Sequence, residues 1–465
     1  MKIINFRPVS LLNHWGATLI FLLWAPNPSH STSLDAASPE FAAPHLEKFE
    51  SEMSASKMTD TLSDPESEYN LYQDLSREQS DLAHQAMRQA YATNIKRAHK
   101  TLAALRILET NKHLPPISYL LSMAVDVMRF QNGDFEDEEE EKELLNSIEE
   151  NAEQGRYLCK TILDKEPNHP TYLLIMGGIR GFLATMKIHI NPSHALGDGF
   201  QALKFLEHAR NQDPRIRDSY MGTGIFNCTA ANAPLFVRAT LKIIGRSVSM
   251  KTGLEALRIS AYQGQYTSVA SQIFLIQFLS PYEDELKREK REVFKSLEKT
   301  FPHNAFFTFM KQDEALSFYP DSFYTPANRR ALVAHISAFD TQDFASRRYT
   351  NLVRYQYTLL DPTPSPKLAP DSSQEFRDLA FYPTFIEGLR FKHVTEDTLD
   401  VGEKPSTVSE LGLKAFKDSC LTLIDNAPMN PTRKRYYRWH VTDALKWVSK
   451  KDRRPRPDAE ATTAR

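Results

Sequence analysis

The chain has 465 residues, of which 41% are hydrophobic and 25% charged, with a formal net charge of −2. These values exclude a disordered chain and a polytopic membrane protein, whereas a net charge so close to zero says nothing of a partner, since nucleic-acid binding needs local clustering and not global excess. A count of 16 glycines is low for this length, which disfavours sheet-rich folds and glycine-cradled phosphate sites and favours helices.

Lys2 and Arg7 precede the apolar run Trp15–Trp24, and Pro26, Pro28 and several serines follow it. A positive start, a short apolar stretch and a small, polar exit describe a secretory signal. The run is short for a membrane span, and an uncleaved signal anchor is the alternative. No cysteine follows it, which excludes a bacterial lipoprotein anchor. The expected location is therefore periplasmic or secreted, or the inner-membrane surface if the signal is retained. Residues 1–31 are assigned to the signal and 32–65 to a linker.

A helical repeat region is expected over 66–320. Tyr91, Ile95, Ala98, Leu102 and Leu105 form one apolar stripe at the spacing of a single helix. Leu145, Ile148, Ala152, Gly155, Cys159 and Ile162 repeat that spacing. So do Ala202, Phe205, Leu206 and Ala209, and later Leu286, Val293, Phe294, Leu297 and Phe301. The segment Thr267–Leu279 is apolar nearly all round and its polar residues are uncharged, so it should be an inner helix covered on most sides. Pro116, Pro167, Pro214 and Pro302 each follow an amphipathic helix and precede another, because proline cannot continue the first and presets the turn after it. The recurrence implies helix pairs with a period in the forties, the last interval spanning two units.

Ala202, Leu206, Ala209 and Pro214 resemble the second-helix signature of a tetratricopeptide repeat, with small residues at closest helix approach and proline ending the unit. Tyr220 with Gly224, and Leu173 with Gly177, resemble positions of the first helix that follows. The resemblance covers about residues 115–310 and no single repeat carries the full pattern. It implies an all-α solenoid of antiparallel helix pairs, with long helices. Residues 187–199 are read as an insertion relative to the 34-residue unit. A more distant likeness to long-helix relatives comes from Met221–Phe226 leading through a long connection to Gly253–Arg258.

Past residue 320, helices are expected at 326–338, 341–359, 374–392, 407–425 and 432–450. They form a C-terminal helical extension over 321–450, followed by a disordered basic tail at 451–465.

Chemistry-bearing motifs are sparse. Cys159, Cys228 and Cys420 are widely spaced and odd in number, which excludes a fully paired set and a cysteine zinc site. The acidic run Glu136–Glu141 lacks the glycine of a calcium loop and is better explained as a hydrated helix start. His189, His194 and Asp198 are the candidate metal ligands or general bases, in a stretch otherwise read as a polar loop between helices. Gly222-Thr-Gly224 lacks the strand and third glycine of a dinucleotide site, and close helix packing accounts for it. The basic, aromatic stretch from Arg433 through Arg456 suits single-stranded nucleic acid or an anionic membrane face, but Tyr437, Val441, Ala444, Leu445 and Val448 make a stripe that would dock on the helices. No cofactor is implied.

The expectation is thus a non-catalytic scaffold of the cell envelope that binds a protein or peptide, and not nucleic acid, on the concave face of a solenoid. Helical phase assigns Tyr172, Arg180, Tyr220, Asn227 and Asn232 to that face, with Asn227 and Asn232 equally suited to satisfying backbone groups before Pro234. The alternatives are a metal-dependent enzyme or binding protein at 189–198, and a membrane-associated assembly factor held by the N-terminus and the basic C-terminus.

Overall fold

The structure is a computed structural model. It describes residues 74–445 except 133–137, 188–191, 233–237, 240, 243–245, 280–282, 319–322, 324, 340–342, 362–364, 366, 371–379, 398–406 and 428–433; from 434 to 445 it describes only 434, 438, 441, 442 and 445. The signal run Trp15–Trp24, the linker, the basic tail and most of the expected helix 432–450 lie outside the described residues.

Among the described residues the regular structure is entirely α-helical, in fifteen helices. These are α1 (Arg77–Tyr91), α2 (Ile95–Lys112), α3 (Ile117–Asn132), α4 (Glu138–Leu163), α5 (Pro170–Lys187), α6 (Pro192–Gln212), α7 (Ser219–Asn232) and α8 (Met250–Gln263). They continue as α9 (Ser268–Phe278), α10 (Asp284–Thr300), α11 (Ala305–Phe318), α12 (Pro326–Ala338), α13 (Phe344–Thr358), α14 (Tyr382–Asp397) and α15 (Thr407–Asn426). No described helix is long and apolar enough to cross a membrane.

Local chemistry sets the helix ends. Ser76, Ser249 and Thr325 accept hydrogen bonds through their side chains from the amides of Gln79, Thr252 and Asn328, capping α1, α8 and α12. Pro170, Pro192 and Pro326 open their helices, where the missing N–H costs nothing. Pro116, Pro167, Pro214 and Pro302 all fall in turns between helices. The apolar stripe Tyr91–Leu105 does not lie on a single helix. The chain breaks at Ala92–Asn94, with Thr93 at φ 60°, so Tyr91 closes α1 and Ile95 opens α2, although all five stripe residues are buried. Neither glycine nor proline marks this break, so hydrophobic spacing alone runs through it.

Consecutive helices pack on one another through α1–α9, with α1 on α2, α3 on α4, α5 on α6 and α7 on α8 the most extensive pairings. A second set of contacts skips one helix: α1 touches α3, α3 touches α5, α5 touches α7, α7 touches α9, and α11 touches α13. Among the described side chains, none on α3, α5, α7, α9 or α13 is exposed, whereas α2, α4, α6, α10 and α12 each keep an exposed face. The first group therefore forms an inner layer, and α9 is the enclosed helix expected over Thr267–Leu279. Ala202, Leu206 and Ala209 are buried, and Gly177 of α5 lies so close to Leu206 and Ala202 of α6 that an added Cβ would overlap Leu206. Gly224 and Gly253 make the same close approach between α7 and α8.

The row of helices also returns on itself. Ser80 of α1 accepts a hydrogen bond from Gln265 Nε2 at 2.7 Å, in the turn between α8 and α9. His84 Nε2 lies 3.1 Å from the Gln265 carbonyl oxygen, and its ring sits 4.9 Å from that of Tyr266. At the other end of α1, the Tyr91 carbonyl accepts from Asn304 Nδ2 at 2.8 Å. Further along, α13 packs on α11 and α14, and α14 on α15. Val441 and Leu445 are buried, Leu445 lying beside Gly388 of α14, as expected for a docking segment.

Candidate functional site

Two inter-helix turns, each shaped by a proline, lie side by side at one edge of the inner layer. The α4–α5 turn carries Glu166-Pro-Asn-His-Pro170, and the α6–α7 turn carries Asp213-Pro-Arg-Ile216. With Asp74, just ahead of α1, they enclose an open cleft of about 610 Å³. Its polar lining comes chiefly from Asp74, Glu166, His169, Thr171, Asp213 and Arg215.

Each wall is fixed by its own bonds. Asp213 accepts two side-chain hydrogen bonds from Arg215, both at 2.9 Å, and a third from the Arg215 amide at 3.0 Å. The guanidinium contact, more than any other, holds the Asp213 carboxyl below the usual range. Asp74 accepts from Thr171 Oγ1 at 2.9 Å and lies 3.9 Å from His169 Nε2. The His169 ring meets Tyr172 edge-on at 4.7 Å, and its Nδ1 is buried with no hydrogen-bond partner among the described residues. Burial, and then neighbouring Cys159, Asp74 and Glu166, make the Tyr172 phenol harder to ionise. Behind the second turn, Asp218 accepts from the amides of Gln265, Tyr266 and Thr267 and from Thr267 Oγ1 at 2.6–3.1 Å. A carboxylate at the N-terminal end of α9 satisfies donors that the helix leaves open and ties the α6–α7 turn to the α8–α9 turn.

Of the residues assigned to a binding face, Tyr172 is buried behind His169 and does not line this cleft. Arg180 lies 3.3 Å from Asp198, with Lys187 on the other carboxylate oxygen at 2.8 Å. Tyr220 sits under Arg210 at 4.6 Å and Arg217 at 5.9 Å. Asn227 donates to the Thr223 carbonyl one turn back inside α7, away from the bend before Pro234, and Asn232 is half-buried at the end of α7. His189 lies outside the described residues. The stretch 192–200 is not a loop but the start of α6, with Pro192 at its first position, so His194 and Asp198 belong to a helix. Among the described residues no three His, Cys, Asp or Glu side chains converge as a metal site.

The sequence does not single out Asp74, His169 or Arg215, because its prolines speak only of helix ends. A second polar network joins α2, α3 and α4. Asp126 lies 3.1 Å from His99 Nε2 and accepts from Ser147 Oγ at 2.8 Å. Here the carboxylate stands between serine and imidazole, whereas nucleophilic catalysis needs the imidazole in the middle, so this is a structural tie. Arg106 extends it by donating to Ser122 and Asn151 while lying 4.1 Å over the Tyr119 ring. No family model, no curated protein and no solved structure matches the chain.

Proposed function

We propose that the chain is a non-catalytic recognition scaffold, a stack of antiparallel helix pairs of the tetratricopeptide-repeat kind that holds a protein or peptide segment. The alternation of enclosed inner helices with half-exposed outer ones, and the contacts that skip one helix, support the stacked-pair reading. The observation that carries the functional reading is the cleft between the turns of two successive pairs. Its volume falls within the range of ligand pockets, and Asp213 and Asp74 in its walls are already held by Arg215 and Thr171, so less ordering opposes binding there. In this reading the segment binds at the cleft between the turns. The apolar run near the N-terminus supports an envelope or exported location, with membrane association if the run is retained.

The test is site-specific photo-crosslinking in the cells that make the protein. A benzoylphenylalanine at exposed Asn168 is compared with one at exposed Lys142, at the far end of α4 and about 35 Å away by helix rise. A discrete adduct from position 168 alone supports the reading, and identical adducts, or none, from both positions oppose it.

A further inference from the structure

Away from the cleft, and independently of its recognition role, we infer that the outer face shared by α2 and α4 docks a second copy of this chain about a two-fold axis. Two ties set how these helices lie. His99 of α2 meets Asp126, which accepts from Ser147 of α4, and seven residues further along Arg106 donates to Asn151 of α4. Numbers rise together along both helices, so α2 and α4 run parallel. By helix rise, Arg97 and Glu143 each lie about 8–9 Å before the midpoint of the two ties, at one level.

The two outer surfaces carry opposite charge. The exposed charges of α2 are all basic, with Lys96, Arg97 and Lys100 in its first half. Those of α4 are acidic apart from Lys142 and Lys160, and Glu143, Glu150 and Glu153 follow one line along it. Among the described residues none of these three cations and three acids is in an ion pair, whereas other surface charges are, as in Lys112–Glu78 and Lys295–Glu292. Lys96 and Arg97 also stand in the first turn of α2, where the helix dipole disfavours cations, so the helix itself does not call for them. Further along, both surfaces become apolar: Ile107 is 62% and Tyr157 67% exposed, and Ala104 and Leu158 are exposed as well. A two-fold axis lying along the helices, above the groove between them, sets α2 of each copy against α4 of the other without changing level. The basic start of α2 then meets the acidic line of α4, and Ile107 approaches Tyr157 and Leu158. Each dimer makes this match twice. Setting α2 against α2 would instead oppose cation to cation.

Sedimentation of the full chain reads its mass, 53.2 kDa for one copy. At micromolar concentration the expected species has twice that mass. Arg97→Glu with Lys100→Glu, or Glu143→Lys with Glu150→Lys, should each weaken association about tenfold or more, since each opposes like charges. All four side chains are exposed and unpaired, so both variants keep their fold, which far-UV circular dichroism checks. Mixing the two variants in equal amounts should restore a dimer, because the reversed α2 then faces the reversed α4 while the other contact is native on both sides. A chain that sediments as one copy at every concentration overturns the inference. So does association that the reversals leave unchanged, as association through the N-terminal apolar run would be, or that the mixture does not restore. In the crosslinking test, an adduct of twice the chain mass from position 142 supports this contact. The turn cleft is read from position 168, so either proposal can fail alone.

Discussion

Glu109, on α2, is 4% exposed, and its carboxylate accepts from the Ser118 amide at 2.9 Å, from Ser118 Oγ, and from Gln79 Nε2 at 3.1 Å. All of these donors are neutral. Burial outweighs them, and outweighs the more distant Arg106, pushing the carboxyl from 4.5 up to about 7. The folded state therefore holds this proton more tightly than the unfolded chain does. Its contribution is fully present below pH 4.5, declines as pH rises from there towards 7, and is constant above. The shift corresponds to about 3 kcal/mol lost across that window. Glu109→Gln removes the titration while keeping an oxygen for the Ser118 amide, and Gln79 Nε2 retains its bond to the Pro115 carbonyl at 2.7 Å. The variant should match or fall below wild type at pH 5 and exceed it by about 1–2 kcal/mol at pH 8, the isostere recovering part of the loss. Urea titrations followed by circular dichroism at steps between pH 5 and 8 measure this. Subtracting the two stability curves isolates Glu109 from every other titrating group. A difference that stays flat with pH refutes the reasoning.

The three cysteines are free and buried, and burial raises each thiol to about 12. Native protein at pH 8 should resist alkylation by iodoacetamide for hours and label fully in urea, as intact mass spectrometry will report. At Gly253 an added Cβ would stand 2.4 Å from Cys228 Sγ and 2.7 Å from the Cys228 amide nitrogen. Gly253→Ala gains helix propensity of about 1 kcal/mol but forces α7 and α8 apart, so a net loss of about 2 kcal/mol should appear as a lower melting temperature. Asp218→Ala leaves the amides of Gln265–Thr267 without their acceptor, costing about 2–4 kcal/mol. Hydrogen exchange should then speed up at residues 265–267 before it does in α3 or α5.

Much of the helix layout is legible in the sequence because proline and hydrophobic spacing are local signals. The helices expected at 326–338 and 407–425 appear at Pro326–Ala338 and Thr407–Asn426, while that expected at 374–392 is seen at Tyr382–Asp397. The break at Thr93 escapes such a reading, since its left-handed backbone is adopted without glycine. The α-helical start at Pro192 escapes too, because Asn-Pro-Ser reads equally as a turn or as a helix opening. The cleft was hidden for a different reason. Asp74, His169 and Arg215 lie far apart along the chain, and only the packing of α1 on α3, α3 on α5 and α5 on α7 brings them to one edge. Asp218 and Gln265 are likewise unremarkable alone, and their bond follows from the packing of α7 on α8 and α9.

That return changes the mechanics of the molecule. A row of helices joined only to neighbours bends like a spring and can fray from either end, each unit held by the one beside it. With α1 bonded to the α8–α9 turn and to Asn304, the first unit has neighbours on both sides. Stretching the row then requires breaking the tie, so α1 through α11 should respond to force as one stiff hoop and let go in a single event.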